Sequence, residues 1–120
     1  MAFNKSIDGV DNFINLFKIL IKNYKGSSLA HVFKNCSVKV NSKEETNIVF
    51  NLENFQNTSI TEIPYLFSKF KISNDKGINW DWNMFKILPN IKNLKHCFEY
   101  MYFTKPIPFN AFNKRKRESI

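Results

Sequence analysis

The sequence predicts an α+β fold. An antiparallel four-stranded sheet, made of two hairpins, is packed by N-terminal and C-terminal amphipathic helices and followed by a basic C-terminal tail. Three observations predict it. Val10, Phe13, Ile14, Phe17, Leu20, Ile21 and Tyr24 recur at the i, i+3, i+4, i+7 spacing of a helix lying on a core. Between residues 36 and 82, apolar and polar residues alternate in four short runs, the two-residue period of half-buried strands. Ile91, Leu94, Cys97, Phe98 and Met101 then return to helical spacing.

The first helix is expected over Asp8 to Tyr24, with Leu16 at the edge of its apolar face and Asp11, Asn15, Lys18, Lys22 and Lys25 on the opposite one. Ser6 or Asp8 would accept its first free N–H groups, and Gly26 would stop it. Cys36, Val38 and Val40 alternate with Ser37 and Lys39, and Ile48, Phe50 and Leu52 alternate back, so 36–40 and 47–53 read as a hairpin around the polar loop 41–46. Ser59 and Glu62 have capping-box spacing ahead of a short helix at 62–68. Phe70 and Ile72, the turn formers Asn74 to Gly77, and Ile78, Trp80 and Trp82 read as a second hairpin, with both tryptophans on one face. The second helix is expected over 90–103, closed by Pro106 and Pro108. No internal repeat is visible. The domain boundaries that follow are a single domain at 1–108 and a flexible basic tail at 109–120.

With 120 residues, 43% of them hydrophobic, the chain has the size and composition of one globular domain. Its 17 Asn, 16 Lys, 13 Ile and 13 Phe are the residues an AT-rich coding sequence favours. The net charge is +8, and half of that excess lies in 104–120, where Lys105, Lys114, Arg115, Lys116 and Arg117 face Glu118 alone. Two cysteines make no disulfide framework and fit two buried thiols in a reducing compartment. The first residues lack the apolar run of a secretory signal, and the apolar runs are too short to span a bilayer. The expectation is a soluble intracellular protein, with the nucleus open to it in a eukaryotic host and an organellar, viral or plasmid origin also compatible.

Catalytic chemistry finds no motif. His31, Cys36, His96 and Cys97 are the soft metal ligands, in no zinc-site spacing. Glu44 and Glu45 sit in a polar loop, and there is no glycine-rich phosphate loop. The chain is therefore read as a non-enzyme without metal, cofactor or small-molecule substrate. Lys114 to Arg117 is its most specific charge feature, four consecutive cations that suit phosphate through counterion release or act as a nuclear-import address. Lys105 and the helical stripe Lys18, Lys22 and Lys25 would extend that footprint. Trp80 and Trp82 are either core or a platform for stacking unpaired bases. These residues point to a small basic protein that binds RNA or DNA, as a ribonucleoprotein component or an accessory factor of replication or transcription. The alternative is an assembly subunit that buries surplus phenylalanines against a partner protein. A weaker third reading is an enzyme subunit completed by another chain.

Overall fold

Three eight-residue segments repeat one conformation. They are 29–36, 63–70 and 94–101, and apolar residues hold the first, fourth, fifth and eighth places: Leu29, Val32, Phe33 and Cys36; Ile63, Leu66, Phe67 and Phe70; Leu94, Cys97, Phe98 and Met101. The third and seventh residues of each turn have left-handed φ: His31 and Asn35, Tyr65 and Lys69, His96 and Tyr100. Each segment is tied internally by bonds to the carbonyl three residues back, such as Val32 N–H to Leu29, Leu66 N–H to Ile63 and Cys97 N–H to Leu94. The intervening amides point along the stack. Leu29, His31, Phe33 and Asn35 donate to the carbonyls of Glu62, Pro64, Leu66 and Ser68 at 2.9–3.2 Å. Ile63, Tyr65, Phe67 and Lys69 donate in turn to Asn93, Lys95, Cys97 and Glu99 at 2.8–3.0 Å.

The computed structural model describes residues 6–52 and 54–108. Its elements are β1 (Ser6–Asp8), α1 (Val10–Asn23), β2 (Ser37–Lys39), β3 (Thr46–Ile48), β4 (Lys71–Ile72), β5 (Ile78–Trp80) and α2 (Met84–Ile87). One sheet has the order β1-β2-β4 and the other pairs β3 with β5. Every pairing is parallel and in register, with Ile7 beside Val38 and Val38 beside Ile72, and Ile48 beside Trp80. Parallel bridges Ser28–Glu62–Asn93 add a third ladder, and Phe103 bridges Ile78. Successive stretches of chain therefore stack as coils of a solenoid, each contacting its neighbours.

The antiparallel four-stranded sheet is thereby overturned. β2 and β3 do not form a hairpin but lie in different sheets, as do β4 and β5. Alternation of apolar residues marks a strand but carries no information on its partner. The expected C-terminal helix over 90–103 is the third repeated turn plus the Phe103 bridge, and the short helix at 62–68 is the second turn. The repeated turn places apolar residues at i, i+3, i+4 and i+7, the spacing of a helix face, but its left-handed third and seventh residues end any helix. The four-residue helix α2 follows β5 in a stretch to which the alternation assigns no element.

α1 is present and is the side wall of the first coil. Phe13, Ile14, Phe17 and Ile21 are buried, and Val10, Leu16, Leu20 and Tyr24 pack partly on the core. Ser6 and Asp8 belong to β1 rather than to a cap; Gly9, with φ 92°, precedes the helix. The carboxamide of Asn57 ties the other end of α1. Its Nδ2 donates to the carbonyls of Ile21 and Tyr24, and its Oδ1 accepts from the amides of Ser59 and Ile60.

Stacked aromatic rings fill the interior. Phe33, Phe67 and Phe98, the fifth residues of the three turns, form a column with centroids 5.8 and 6.0 Å apart. Phe13, Phe17 and Phe50 pack on one side of it, and Trp80 sits edge-on to Phe67 and Phe98 on another. Every described phenylalanine is buried or packed on this core, so the expected phenylalanine surplus for an interface is absent from the described residues. The thiols of Cys36 and Cys97 are buried.

Candidate interaction surface

The third residue of each turn projects outward. Parallel, in-register stacking puts successive copies of one position about one strand spacing apart, roughly 4.8 Å. The rings of His31 and Tyr65 accordingly lie 4.8 Å apart and parallel to within 7°, and those of Tyr65 and His96 lie 5.0 Å apart. Charge flanks this column. Lys34 Nζ stands 5.1 Å above the Tyr65 ring, and His96 Nδ1 meets Glu99 Oε2 at 2.7 Å. Lys69 Nζ stands 5.7 Å from the Tyr100 ring.

The third turn differs from the first two in one respect. Its odd amides, Leu94, His96, Phe98 and Tyr100, have no hydrogen-bond acceptor among the described residues, where no fourth repeated turn follows; Leu94 is fully buried, so the accessible part of the row is at His96 and beyond. Tyr100 is 75% exposed and Tyr102 63% exposed beside this row. Behind the two tyrosines is an apolar depression of about 90 Å³, walled by Phe70, Ile72 and Ile78. Among the described residues, amides without acceptors thus lie next to exposed aromatic rings. A larger open groove, about 690 Å³, runs between 50–58 and α2; Lys86 is the charged residue in its lining.

The residues expected to bind nucleic acid are not gathered into one described site. Lys22, Lys25 and Lys105 are exposed, and Lys18 is half-buried on α1. Trp80 is 4% exposed, its Nε1 donating to Met84 Sδ at 3.2 Å, so it is core and not a stacking platform. Trp82 is partly buried against Phe85, Phe98 and Phe103. The two tryptophans were expected on one strand face; β5 ends at Trp80, and Trp82 enters the turn before α2. Lys114, Arg115, Lys116 and Arg117, with the rest of the tail from 109, lie outside the described residues. The two histidines join one column while both cysteines point into the core. Burial pushes the Cys36 thiol from 9.0 up to about 11 and holds Cys97 well above its ordinary value, against the lowering effect of backbone bonds at Phe67 and Leu66. Among the described residues no group of three His, Cys, Asp or Glu side chains could hold a metal ion. No helix of the described chain is long and apolar enough to cross a membrane.

Sequence reasoning missed Tyr65, Tyr100, Tyr102 and Glu99. The apolar spacing i, i+3, i+4, i+7 beginning at Leu29, at Ile63 and at Leu94, 34 and then 31 residues apart, places Tyr65 with His31 and His96, two residues after each start, but not the other three. The same spacing begins at Val10 inside α1, so by itself it does not separate the turn from a helix. No known protein family, no curated protein and no solved structure matches this chain.

Proposed function

We propose that this chain is a non-enzymatic binding module of the solenoid kind, which engages a partner protein at the end formed by its third turn. The observation that carries the reading is the unpaired amide row of Leu94, His96, Phe98 and Tyr100 beside the exposed rings of Tyr100 and Tyr102. The end of a solenoid needs a polar cap or a partner over its last coil, and tyrosine is favoured at interface centres. Capture experiments with the tagged full chain test it. A bound protein should survive nuclease and moderate salt. The double variant Tyr100→Ala, Tyr102→Ala should lose it by about tenfold or more, as truncation of interface aromatics typically does. Capture indifferent to both substitutions would overturn the assignment.

Nucleic-acid binding is the second reading. The concentration of half the net charge in 104–120, with four consecutive cations at 114–117, supports it. It expects salt-steep binding of single-stranded RNA or DNA by the full chain and a flatter salt slope for residues 1–109. Binding with the same slope in both would remove the basic run from the mechanism, and no binding near physiological salt would remove the reading. The tryptophan pair has no part in it, since Trp80 is enclosed.

A further inference from the structure

We propose that the partner at the third-turn end is a second copy of this chain, docked head to tail by its first turn. The proposal rests on the partner-binding reading above and names the occupant. Within the molecule, each turn donates its odd amides to the carbonyls of the turn after it. The direction of that ladder leaves unlike rows at the two ends. The third turn offers the amides of His96, Phe98 and Tyr100, Leu94 being fully buried. The first turn offers the carbonyls of Ala30, Val32 and Lys34, which accept no bond among the described residues; that of Ser28 already accepts from the Tyr24 hydroxyl. Two third turns cannot pair with each other, because donors would face donors. The first turn matches the third in both chemistry and backbone conformation, with left-handed residues at the same two places.

Side-chain order agrees with the backbone. The sixth residues of the turns are Lys34, Ser68 and Glu99. Inside the molecule Ser68 Oγ donates to Glu99 at 3.4 Å, so neighbours at this position meet across coils. Head-to-tail stacking sets Glu99 of one copy against Lys34 of the next, an opposite-charge pair. It sets His96 on His31, continuing the ring column. The sheet β1-β2-β4 also has β1 in the first coil and β4 in the third, so among the described residues the two edge strands of one parallel sheet lie toward the two ends. Such a contact is heterologous and does not close, so it builds chains rather than a two-fold dimer.

Sedimentation velocity of the nuclease-treated full chain over a wide concentration range tests this. The mean mass should rise with concentration. Glu99→Lys and Lys34→Glu should each weaken association by about tenfold or more, because each sets like charges face to face. An equimolar mixture of the two variants should restore it, since alternating copies again set a lysine against a glutamate at every junction. Amide exchange at His96, Phe98 and Tyr100 in the unmodified chain should slow as concentration rises, a readout that needs no substitution. A chain that stays monomeric to millimolar concentration overturns the proposal. So does association that neither swap weakens, or swaps whose mixture stays dissociated. A strictly monomeric chain that captures a different protein through Tyr100 and Tyr102 overturns self-docking and leaves the binding-module reading standing.

Discussion

Six side chains other than glycine sit at left-handed φ in the three repeated turns. An L-residue there gives up about 1–2 kcal/mol, and asparagine gives up least. The first turn already uses Asn35 at the seventh place; the second has Lys69. Lys69→Asn should therefore stabilise the protein by about 0.5–1 kcal/mol, read as a higher urea midpoint at unchanged slope. An unchanged or lowered midpoint would mean that the lysine contact over Tyr100 outweighs the backbone gain. The thiols set a second residue-scale expectation. Cys36 ionises near 9.0 when unfolded and at about 11 when folded. Its raised value means that folding keeps the neutral thiol, so this contribution is complete below pH 9 and is lost as pH rises toward 11. Unfolding free energy should fall there by up to about 1.4 kcal/mol per pH unit for each such thiol. The slope between pH 9 and 11 should be shallower in Cys36→Ala, whatever that variant's absolute stability, and equal slopes would contradict the assignment.

At the scale of elements, two polar residues in the core have opposite fates. Thr46 stands on the inward face of β3 beside Ile78, and its hydroxyl is buried with no hydrogen-bond partner. Replacing an unsatisfied buried hydroxyl with an isosteric methyl removes a desolvation cost, so Thr46→Val should stabilise by about 0.5–1 kcal/mol in a denaturant titration. Destabilisation would show that the hydroxyl is satisfied in solution. Asn57 is fully satisfied and joins the end of α1 to the 57–60 turn. Asn57→Ala would leave two helix carbonyls and two turn amides without their partner, and should cost about 2–4 kcal/mol. A loss below about 1 kcal/mol would mean that water replaces the side chain. Gly77 shows how one turn depends on another segment: at φ 89° it has no Cβ to meet Thr104 Cγ2, which would lie 2.8 Å away. The strand segment around Phe103 can thus lie across β5.

For the whole molecule, the Phe33–Phe67–Phe98 column is the axis that couples the coils. Phe67 is its middle ring and also touches Phe13, Phe17, Phe70 and Trp80. Phe67→Ala should cost about 3–5 kcal/mol, a large share of the stability of a domain this size. Phe85→Ala, within α2 at the margin of the core, should cost less. Equal losses in urea unfolding would contradict a coupling column.

Local pattern alone specifies α1, because a helix satisfies its hydrogen bonds within one segment and its apolar stripe repeats at 3.6 residues. It also puts Cys36 with Val38, Ile48 with Phe50, Phe70 with Ile72 and Ile78 with Trp80 on single faces of short extended segments, since alternation is a property of one strand, but it does not say which face is buried. Tertiary structure alone decided the partners. A three-residue strand gains most of its stability from the coil it stacks on, and β2 finds β4 some thirty residues away rather than β3 across a short loop. The same physics turned the apolar spacing of 94–101 from a helix into a turn: His96 and Tyr100 adopt left-handed φ because the turn aligns their coil with the one before it, and no local preference of these residues announces that.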